Sequence, residues 1–288
     1  MKIALFINRD LEANITYNLL KSELLKHTVR IYYSVSVGSL QNKAPELVKL
    51  EYYEKGFVFD ELKDYTSKHK IRTTFEFFDN DFKTFPIQQC QDVNSTAFIN
   101  EMKAFSPDLF LSIRFGRIFK NEIIQVPKRG LLNLHSAILP NYRGIMGTLH
   151  AIKEKNKKIG CTLHTIPNSG IDTGEIIEIA TVDVNLRKSV FWHIVQLYPI
   201  GAKLIIKHLQ TLNQQHSLKT HKQNLEDGNY FSVPTQVDFE RIEQMGIEII
   251  TGNDYLEVLS SFILKDLSEI NRHHLIALIN NSGLNFKN

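Results

Sequence analysis

Residues 2–8 read KIALFIN, an apolar run that ends at Asn8-Arg9-Asp10. A short run with no polar residue between Ile3 and Ile7 is typical of a strand that is buried on both faces of a parallel sheet. Residues 11–25 then carry apolar side chains at helical spacing. The stretch therefore predicts the first strand and the first helix of an α/β fold.

The same alternation continues along the chain. We expect further strands over residues 29–37, 71–78, 107–113 and 131–134, and helices over residues 44–68 and 94–105, the second capped at Asn94-Ser95. This order predicts a Rossmann-like, open and mostly parallel sheet, in which ligands bind beyond the carboxyl ends of the strands. The sequence has neither a G-x-G-x-x-G nor a G-x-x-x-x-G-K-[ST] pattern, so neither a dinucleotide site nor a P-loop of the usual kind is expected.

The pattern changes past residue 160. Residues 159–166 and 176–184 read as two strands of a hairpin, and residues 190–209 form an amphipathic helical pattern. A compact segment at residues 228–235 and a final helix over residues 254–280 complete the chain. We expect a catalytic domain over residues 1–210 and a small C-terminal accessory or dimerisation region over residues 211–288, which makes the protein a candidate homodimer.

Charge is divided unevenly between these two regions. Residues 211–288 carry six basic and ten acidic side chains, a net charge of −4, and residues 1–210 carry 28 basic and 21 acidic side chains, a net charge of +7. Proteins that bind nucleic acid need basic surface, because neutralising phosphates supplies most of the affinity. The acidic C-terminal region therefore argues against a nucleic-acid partner, and the mild positive excess elsewhere is compatible with an anionic small molecule.

Composition excludes several other classes of protein. The two cysteines, Cys90 and Cys161, are too few for a disulfide framework or a four-cysteine zinc site, and we assign no metal. No apolar stretch approaches the roughly 20 residues that cross a bilayer. The run Ile3 to Ile7 is too short for the core of a signal peptide. We expect a soluble, cytoplasmic protein with no membrane partner.

Two segments contain the residues best suited to chemistry. Residues 131–152 read LLNLHSAILPNYRGIMGTLHAI, and Asn133 and His135 point to the same face because strand side chains repeat every two residues. Residues 160–177 read GCTLHTIPNSGIDTGEII and place Asp172 in a loop between glycines. An amide and an imidazolium stabilise an oxyanion, and a carboxylate orients the imidazole. This trio predicts acyl transfer without a covalent intermediate.

The order N-x-H, L-P-x-Y-R-G and G-I-D-T-G-E-I-I resembles the folate-dependent formyltransferases. The resemblance is close over residues 110–181, looser over the first 105 residues and weak after residue 210. The family includes methionyl-tRNA formyltransferase, glycinamide ribonucleotide formyltransferase and the sugar N-formyltransferases of surface polysaccharide (O-antigen) biosynthesis. The resemblance implies the formyltransferase fold with a small C-terminal appendage, N10-formyltetrahydrofolate as donor, an amine as acceptor and no metal.

The resemblance also implies roles for individual residues. Asn133, His135 and Asp172 match the catalytic trio of the family. The matching positions for the folate pocket are Phe115, Gly116, Arg117, Ile118, Gly170 and Ile171, and those expected at the acceptor are Tyr142, Arg143 and Gly144. Arg114 and Arg117 stand where apolar residues are expected. His150 and His164 lie within helix and strand patterns and are predicted to be core or surface residues.

Three functions fit these observations. The first is a sugar N-formyltransferase acting on a dTDP-, UDP- or GDP-linked 4-amino-4,6-dideoxyhexose. The second is methionyl-tRNA formyltransferase, and the third is a non-catalytic module that binds folate or a nucleotide. The acidic C-terminal region disfavours tRNA, and residues 141–147 (NYRGIMG) lack the R-G-A-A-P-I run typical of the tRNA enzymes. We favour the sugar enzyme, with a nucleotide-linked amino sugar as its partner.

Overall fold

A seven-stranded sheet organises the fold in the computed structural model, which describes residues 1–35, 43–71, 73, 75–264 and 268–286. The strands, in their order across the sheet, are β3 (Ile87–Gln89), β2 (Thr28–Ser34), β1 (Lys2–Asn8), β4 (Leu109–Ile113), β5 (Leu131–His135), β7 (Lys158–Thr165) and β8 (Ile176–Asp183). The first five run parallel, and β7 and β8 are antiparallel to their neighbours. Two short strands, β6 (Tyr142–Gly144) and β9 (Asn229–Phe231), form a separate parallel pair. The prediction of a mostly parallel α/β sheet is confirmed.

Ten α-helices of the described residues connect and cover these strands. They are α1 (Leu11–Leu24), α2 (Pro45–Glu51), α3 (Lys63–Lys68), α4 (Thr96–Phe105), α5 (Asn121–Ile124), α6 (Gly147–Lys153), α7 (Val190–Asn213), α8 (Gln236–Gln244), α9 (Gly252–Phe262) and α10 (Glu269–Asn281). A π-helical segment, Tyr52–Leu62, joins α2 to α3 without a break, so the helix predicted over residues 44–68 is confirmed. Among the described residues, no helix combines the length and the apolar composition that a bilayer crossing requires.

The side chains of β1 alternate between the two faces of the sheet. Ile3, Leu5 and Ile7 pack into the larger core with α1 and α7, whereas Ala4 and Phe6 pack into a smaller core with α4. Both faces are therefore covered, as the continuous apolar run of β1 predicts. The N-terminal cap predicted for α4 is also confirmed, because the Ser95 hydroxyl accepts a hydrogen bond from the backbone of Phe98 at 3.3 Å.

The strand predicted over residues 71–78 is wrong. Residues 72 and 74 lie outside the described residues, and the described part has no strand pairing. Its backbone bonds instead to asparagine side chains of α1: the Glu76 N–H donates to Asn18 Oδ1 at 2.8 Å and the Phe78 N–H to Asn14 Oδ1 at 2.9 Å. The place beside β2 is taken by β3, farther along the chain. The predicted end of β2 at residue 37 also lies outside the described residues, and β2 ends at Ser34.

The final helix predicted over residues 254–280 is two helices, α9 and α10. After α9, the N–H groups of Ile263 and Leu264 both donate to the carbonyl of Leu259 at 2.9 Å, and both side chains are buried. Residues 265–267 lie outside the described residues. The hydroxyl of Ser268 then accepts a hydrogen bond from the N–H of Asn271 and caps α10. This serine marks the start of a new helix, although the apolar pattern continues across it.

The C-terminal helices pack into the core of the main sheet. Tyr255 of α9 is fully buried, and its hydroxyl donates to the carbonyl of Tyr53 at 2.8 Å. The centre of its ring lies 5.2 Å from the ring of Tyr53 and 5.4 Å from the rings of Phe57 and Phe191. Helix α7 continues to Asn213, past residue 210. The division at residue 210 stays a prediction about the chain's domains.

We expect Tyr255→Phe to lower the free energy of unfolding by about 1 kcal/mol, since it removes one hydrogen bond, and Tyr255→Ala to lower it by about 3–5 kcal/mol, since it also leaves a cavity. Urea unfolding followed by circular dichroism measures both. Ile270→Ala, at an exposed position of α10, is the control and should change the value by less than about 0.5 kcal/mol. A wild-type curve with two transitions, only one of which moves in Tyr255→Ala, would show instead that the C-terminal region unfolds independently.

Candidate active site

Strand β5 places Asn133 and His135 on one face, at the edge of the sheet where the parallel strands end. The neighbouring strand β7 is antiparallel, and its register sets His164 directly beside Asn133. The amide nitrogen Nδ2 of Asn133 lies 3.0 Å from Nε2 of His164. Pairing of β5 with β7 thus adds a second imidazole to the pair of side chains that the N-x-H spacing predicted.

Asp172 comes to the same place from the loop between β7 and β8. Its Oδ2 lies 3.6 Å from Nδ1 of His135, and its Oδ1 lies 3.5 Å from Nε2 of His164. The backbone N–H of Gly144 donates to Oδ2 at 2.9 Å. The structure therefore brings the imidazoles of His135 and His164 to the Asp172 carboxylate, and Asn133 joins the group through its contact with His164.

The backbone of this loop requires unusual conformations. Asp172 has a φ of 53°, in the left-handed region that few non-glycine residues adopt. Two residues later, a Cβ on Gly174 would lie 1.7 Å from the carbonyl oxygen of Thr165, so only glycine allows the loop to close against β7. The glycines around Asp172 in the sequence thus serve the close approach of two backbones, which fixes where the carboxylate lies.

The hydrogen bonds also fix how the two imidazoles are oriented. Nε2 of His135 lies 2.7 Å from the carbonyl of Tyr142, and Nδ1 of His164 lies 2.8 Å from the carbonyl of Thr165. A carbonyl only accepts, so each of these nitrogens carries a proton. In a singly protonated His164, Nε2 then accepts from the Asn133 amide, whose second N–H is available to a ligand. His135 turns its Nδ1 towards Asp172.

The surroundings of Asp172 keep it ionised. Burial alone raises the pKa of this carboxyl, but the imidazoles of His135 and His164 and the N–H of Gly144 outweigh it and hold the pKa well below its usual value. The side chain is only 11% exposed. A buried carboxylate held ionised in this way stabilises positive charge on a neighbouring imidazole.

These groups open into a cleft of about 460 Å³. It is lined by Asn133, His135 and Asp172, and by every residue assigned to the folate pocket: Phe115, Gly116, Arg117, Ile118, Gly170 and Ile171. Across the described residues, no group of three or more His, Cys, Asp or Glu side chains is arranged to hold a metal ion. The roles of the lining residues stay predictions.

The residues assigned to the acceptor divide into two kinds. Gly144 lines the cleft, whereas the side chains of Tyr142 and Arg143 do not. The Tyr142 hydroxyl donates to Glu154 at 2.6 Å, and a guanidinium nitrogen of Arg143 reaches the carbonyl of Leu225 at 3.5 Å. Tyr142 instead contributes its backbone carbonyl, which holds His135. Contact of Tyr142 and Arg143 with a substrate stays a prediction.

Arg114, which departs from the apolar residue expected there, is neutralised within the protein. Its guanidinium donates to Asp10 at 2.7 Å, to Glu54 at 3.0 Å and to the hydroxyl of Tyr198 at 3.1 Å. Arg117 donates to the backbone carbonyls of Gln91 and Gly116, at 3.3 Å each. The wall of the cleft near Arg114 is therefore an ionic cluster where the family resemblance implies an apolar surface.

His164 is the residue that sequence reasoning missed. It was predicted to be an ordinary core or surface histidine, and it is indeed fully buried, but it contacts both Asn133 and Asp172. The feature of the sequence that points to this role is that His164 lies in a predicted strand that can pair with the strand containing Asn133 and His135. The sequence does not give the register of that pairing, so the contact could be found only from the structure.

Comparison with known proteins places part of the chain in a family. Residues 61–190 match the family described as formyl transferase. The chain is similar to formyl transferases over these residues, which are here called the formyl transferase domain. Asn133, His135 and Asp172 all lie within this formyl transferase domain, as do the lining residues 115–118.

The curated relatives of the formyl transferase domain carry the name methionyl-tRNA formyltransferase. One from Thermodesulfovibrio yellowstonii is 30% identical over 129 residues, which are 45% of this chain and 42% of that protein. Another, from Prochlorococcus marinus, is 26% identical over 170 residues, 57% of this chain and 49% of that protein. The chain therefore spans about half the length of the curated relatives that it matches.

Solved structures share the fold over more of the chain. A 4-N formyltransferase from Francisella tularensis is 18% identical, with a TM-score of 0.54 over 89% of this chain and 87% of that one. Two other solved structures share the fold at similar identity. The first is an N-formyltransferase from Helicobacter canadensis, solved with folinic acid and dTDP-3-aminofucose, which has a TM-score of 0.52 over 83% of this chain and 72% of that one. The second is WlaRD, a sugar 3N-formyl transferase, which also has a TM-score of 0.52. The formyltransferase fold thus extends beyond the matched domain.

The lowered pKa of Asp172 predicts a particular dependence of stability on pH. A carboxyl whose folded pKa is lowered stabilises the fold above its unfolded pKa, about 3.9, and that stabilisation is lost as the pH falls towards the folded pKa. We expect Asp172→Asn to be less stable than wild type at pH 7 and the difference to shrink at pH 3, as measured by urea unfolding. Asp183→Asn, which alters a carboxylate that is 82% exposed, should show little difference at either pH. If the difference in the free energy of unfolding between wild type and Asp172→Asn were the same at pH 7 and pH 3, the negative charge of Asp172 would not be what stabilises the fold.

Proposed function

We propose that this protein transfers a formyl group from N10-formyltetrahydrofolate to the amine of a nucleotide-linked amino sugar, a reaction of surface polysaccharide biosynthesis. The observation that carries the proposal is that Asn133, His135 and Asp172 line one cleft of about 460 Å³, with the imidazole of His135 3.6 Å from the Asp172 carboxylate. An amide N–H, an imidazole and an ionised carboxylate are the groups that acyl transfer to an amine requires. The formyl transferase domain contains all three.

Each side chain has one task in the proposed mechanism. The neutral amine attacks the formyl carbon, a C–N bond forms, and the carbonyl electrons move to oxygen. Asn133 donates a hydrogen bond to that oxyanion and a protonated His135 stabilises it by its positive charge, while Asp172 holds His135 and assists transfer of the amine proton. When the carbonyl forms again, the bond from the formyl carbon to N10 breaks, and N10 takes the electron pair and a proton.

The charge of the chain favours a sugar over tRNA as acceptor. The C-terminal residues, which include α8, α9 and α10, have a net charge of −4. An acidic region of this kind repels a phosphate backbone. The cleft instead has the size of a pocket for a small ligand.

Methionyl-tRNA formyltransferase is the second candidate, because the curated relatives quoted above carry that name. One assay separates the two. The protein is incubated with N10-formyltetrahydrofolate and either charged initiator methionyl-tRNA or a panel of dTDP-, UDP- and GDP-linked 4-amino-4,6-dideoxyhexoses and dTDP-3-aminofucose. Products are identified by mass spectrometry.

We expect formamido sugars and no formylated tRNA. Formylated tRNA as the only product would select the second candidate. Binding of 5-formyltetrahydrofolate without turnover of any amine would indicate the non-catalytic module. In each case the folate-binding measurement shows that the protein used is folded.

We expect Asn133→Ala and His135→Asn each to lower kcat by about 10²-fold or more, since the first removes a hydrogen-bond donor to the oxyanion and the second removes the positive charge beside it. Steady-state kinetics with the acceptor selected from the panel measures this, and thermal melting verifies folding. His273→Asn, at an exposed position of α10, is the matched control and should retain wild-type kcat. A near-normal rate in either cleft variant would remove that residue from the mechanism.

A further inference from the structure

One wall of the cleft, formed by Lys43 and the helical residues after it, holds two lysines on a single carboxylate. Lys55 Nζ lies 2.7 Å from Oε1 of Glu51, and Lys43 bonds the other oxygen, Oε2. All three side chains line the cleft, and the lysines are 15% and 24% exposed. The two lysines, here called the lysine pair, share one negative charge, so they carry one positive charge in excess.

The next turn of the same wall has the opposite balance. Arg114 faces three carboxyl groups: Asp10 at 2.7 Å, Glu54 at 3.0 Å and Glu12 at 3.7 Å. Glu12 is fully buried, and neither of its oxygens has a hydrogen-bond partner among the described residues. Burial raises the pKa of Glu12 well above its usual value, and the carboxylates of Glu54 and Asp10 raise it further despite Arg114.

Arg114 is the cation that the carboxyl groups of Asp10, Glu12 and Glu54 share. Glu54 and Arg114 line the cleft, whereas Asp10 lies behind them, fully buried. Asp10 also accepts hydrogen bonds from the amide of Asn8 and from the N–H of Ala13, whereas the donor that the described residues supply to Glu54 is Arg114. A poorly hydrated charge of this kind is unfavourable unless donors surround it, and on a cleft wall a ligand can supply those donors.

These two features are neighbours on the wall, because Glu51 ends α2 and Glu54 lies three residues farther on, in the π-helical segment, and both line the cleft. The wall thus offers a cationic site that suits phosphate oxygens and, beside it, a carboxylate that suits hydroxyl and amino donors. A sugar attached to a phosphate carries both kinds of group.

We propose that the acceptor lies along this wall, with its phosphate groups on Lys43 and Lys55 and with the hydroxyls of its sugar ring donating to Glu54. The proposal rests on the proposed function for the identity of the acceptor, and on the wall's own residues for its orientation. It makes Glu54 and Lys55 specificity-determining residues. The amine then lies on the side of the ring that faces Asn133 and Asp172.

The test is calorimetric titration, which needs no turnover. Wild type, Lys55→Gln, Glu54→Gln and the control Lys49→Gln are each titrated with dTDP, UDP and GDP, with dTDP-4-amino-4,6-dideoxyglucose, and with 5-formyltetrahydrofolate. Lys49 is exposed on α2 and does not line the cleft. Thermal melting is recorded for every variant, and Lys43→Gln provides a second test of the lysine pair.

We expect Lys55→Gln and Lys43→Gln to weaken binding of the preferred nucleoside diphosphate by about 10-fold or more, as for the loss of a charge-assisted hydrogen bond. Glu54→Gln should leave nucleoside diphosphate binding unchanged and weaken the amino sugar nucleotide by about 10-fold, on the same basis. All variants should bind 5-formyltetrahydrofolate as wild type does, and Lys49→Gln should match wild type throughout.

Three results would overturn the proposal: no binding of any nucleoside diphosphate by wild type, weakened folate binding in Lys55→Gln, or unchanged amino-sugar binding in a folded Glu54→Gln. The second would mean that the lysine pair holds the glutamate tail of the donor. Nucleoside diphosphate binding that depends on Lys55, without formylation of any amine, would remove the proposed function and leave this subsite standing. Formylation of amino sugars together with unaltered ligand binding in the variants would leave the proposed function standing and remove this subsite.

Discussion

The position of the Asp172 carboxylate is the constraint on which the candidate site depends. Three separate parts of the chain meet there: β5 through His135, β7 through His164, and β6 through the N–H of Gly144. The N–H of Gly144 makes a hydrogen bond of ordinary length, at 2.9 Å, whereas the two imidazole contacts, at 3.6 and 3.5 Å, are longer than normal hydrogen bonds. Together they hold a buried negative charge, and the glycine at position 174 lets the loop come close enough to place it. The sheet determines where the histidines lie, and the loop brings the charge to them.

Much of the fold could be predicted because its signals are local. The apolar run of β1 indicated a strand covered on both faces, and Ser95 marked the start of α4, since a cap acts within a single turn. The strand expected over residues 71–78 failed for a tertiary reason. Its alternating apolar residues fit a strand, but Asn14 and Asn18 of α1 take its backbone hydrogen bonds. Competition from side chains that are distant in sequence leaves no local trace.

The candidate site divides in the same way. The spacing of Asn133 and His135 indicated a common face, because strand geometry fixes alternation, and the glycines beside Asp172 indicated a tight loop. The contacts of His164 depend on the register between β5 and β7, which the sequence does not contain. The arginine at position 114 stood out as a departure, yet its neutralisation by Asp10 and Glu54 requires strand β1 and the helical wall to meet. An arginine in the sequence indicates that an acidic partner is needed, but only the tertiary structure identifies Asp10 and Glu54 as those partners.

The π-helical segment Tyr52–Leu62 limits how the chain can vary in length. It carries aromatic side chains such as Tyr53 into the core while Glu54 and Lys55 reach the cleft. Each residue of a helix turns the chain by a fixed angle about the helix axis. Deleting one residue here would rotate everything before it relative to everything after it, and either the buried rings or the ionic wall would lose its partners. Relatives that keep both features should therefore conserve the length of this segment even where its residues differ, and gaps in an alignment should collect in other connections.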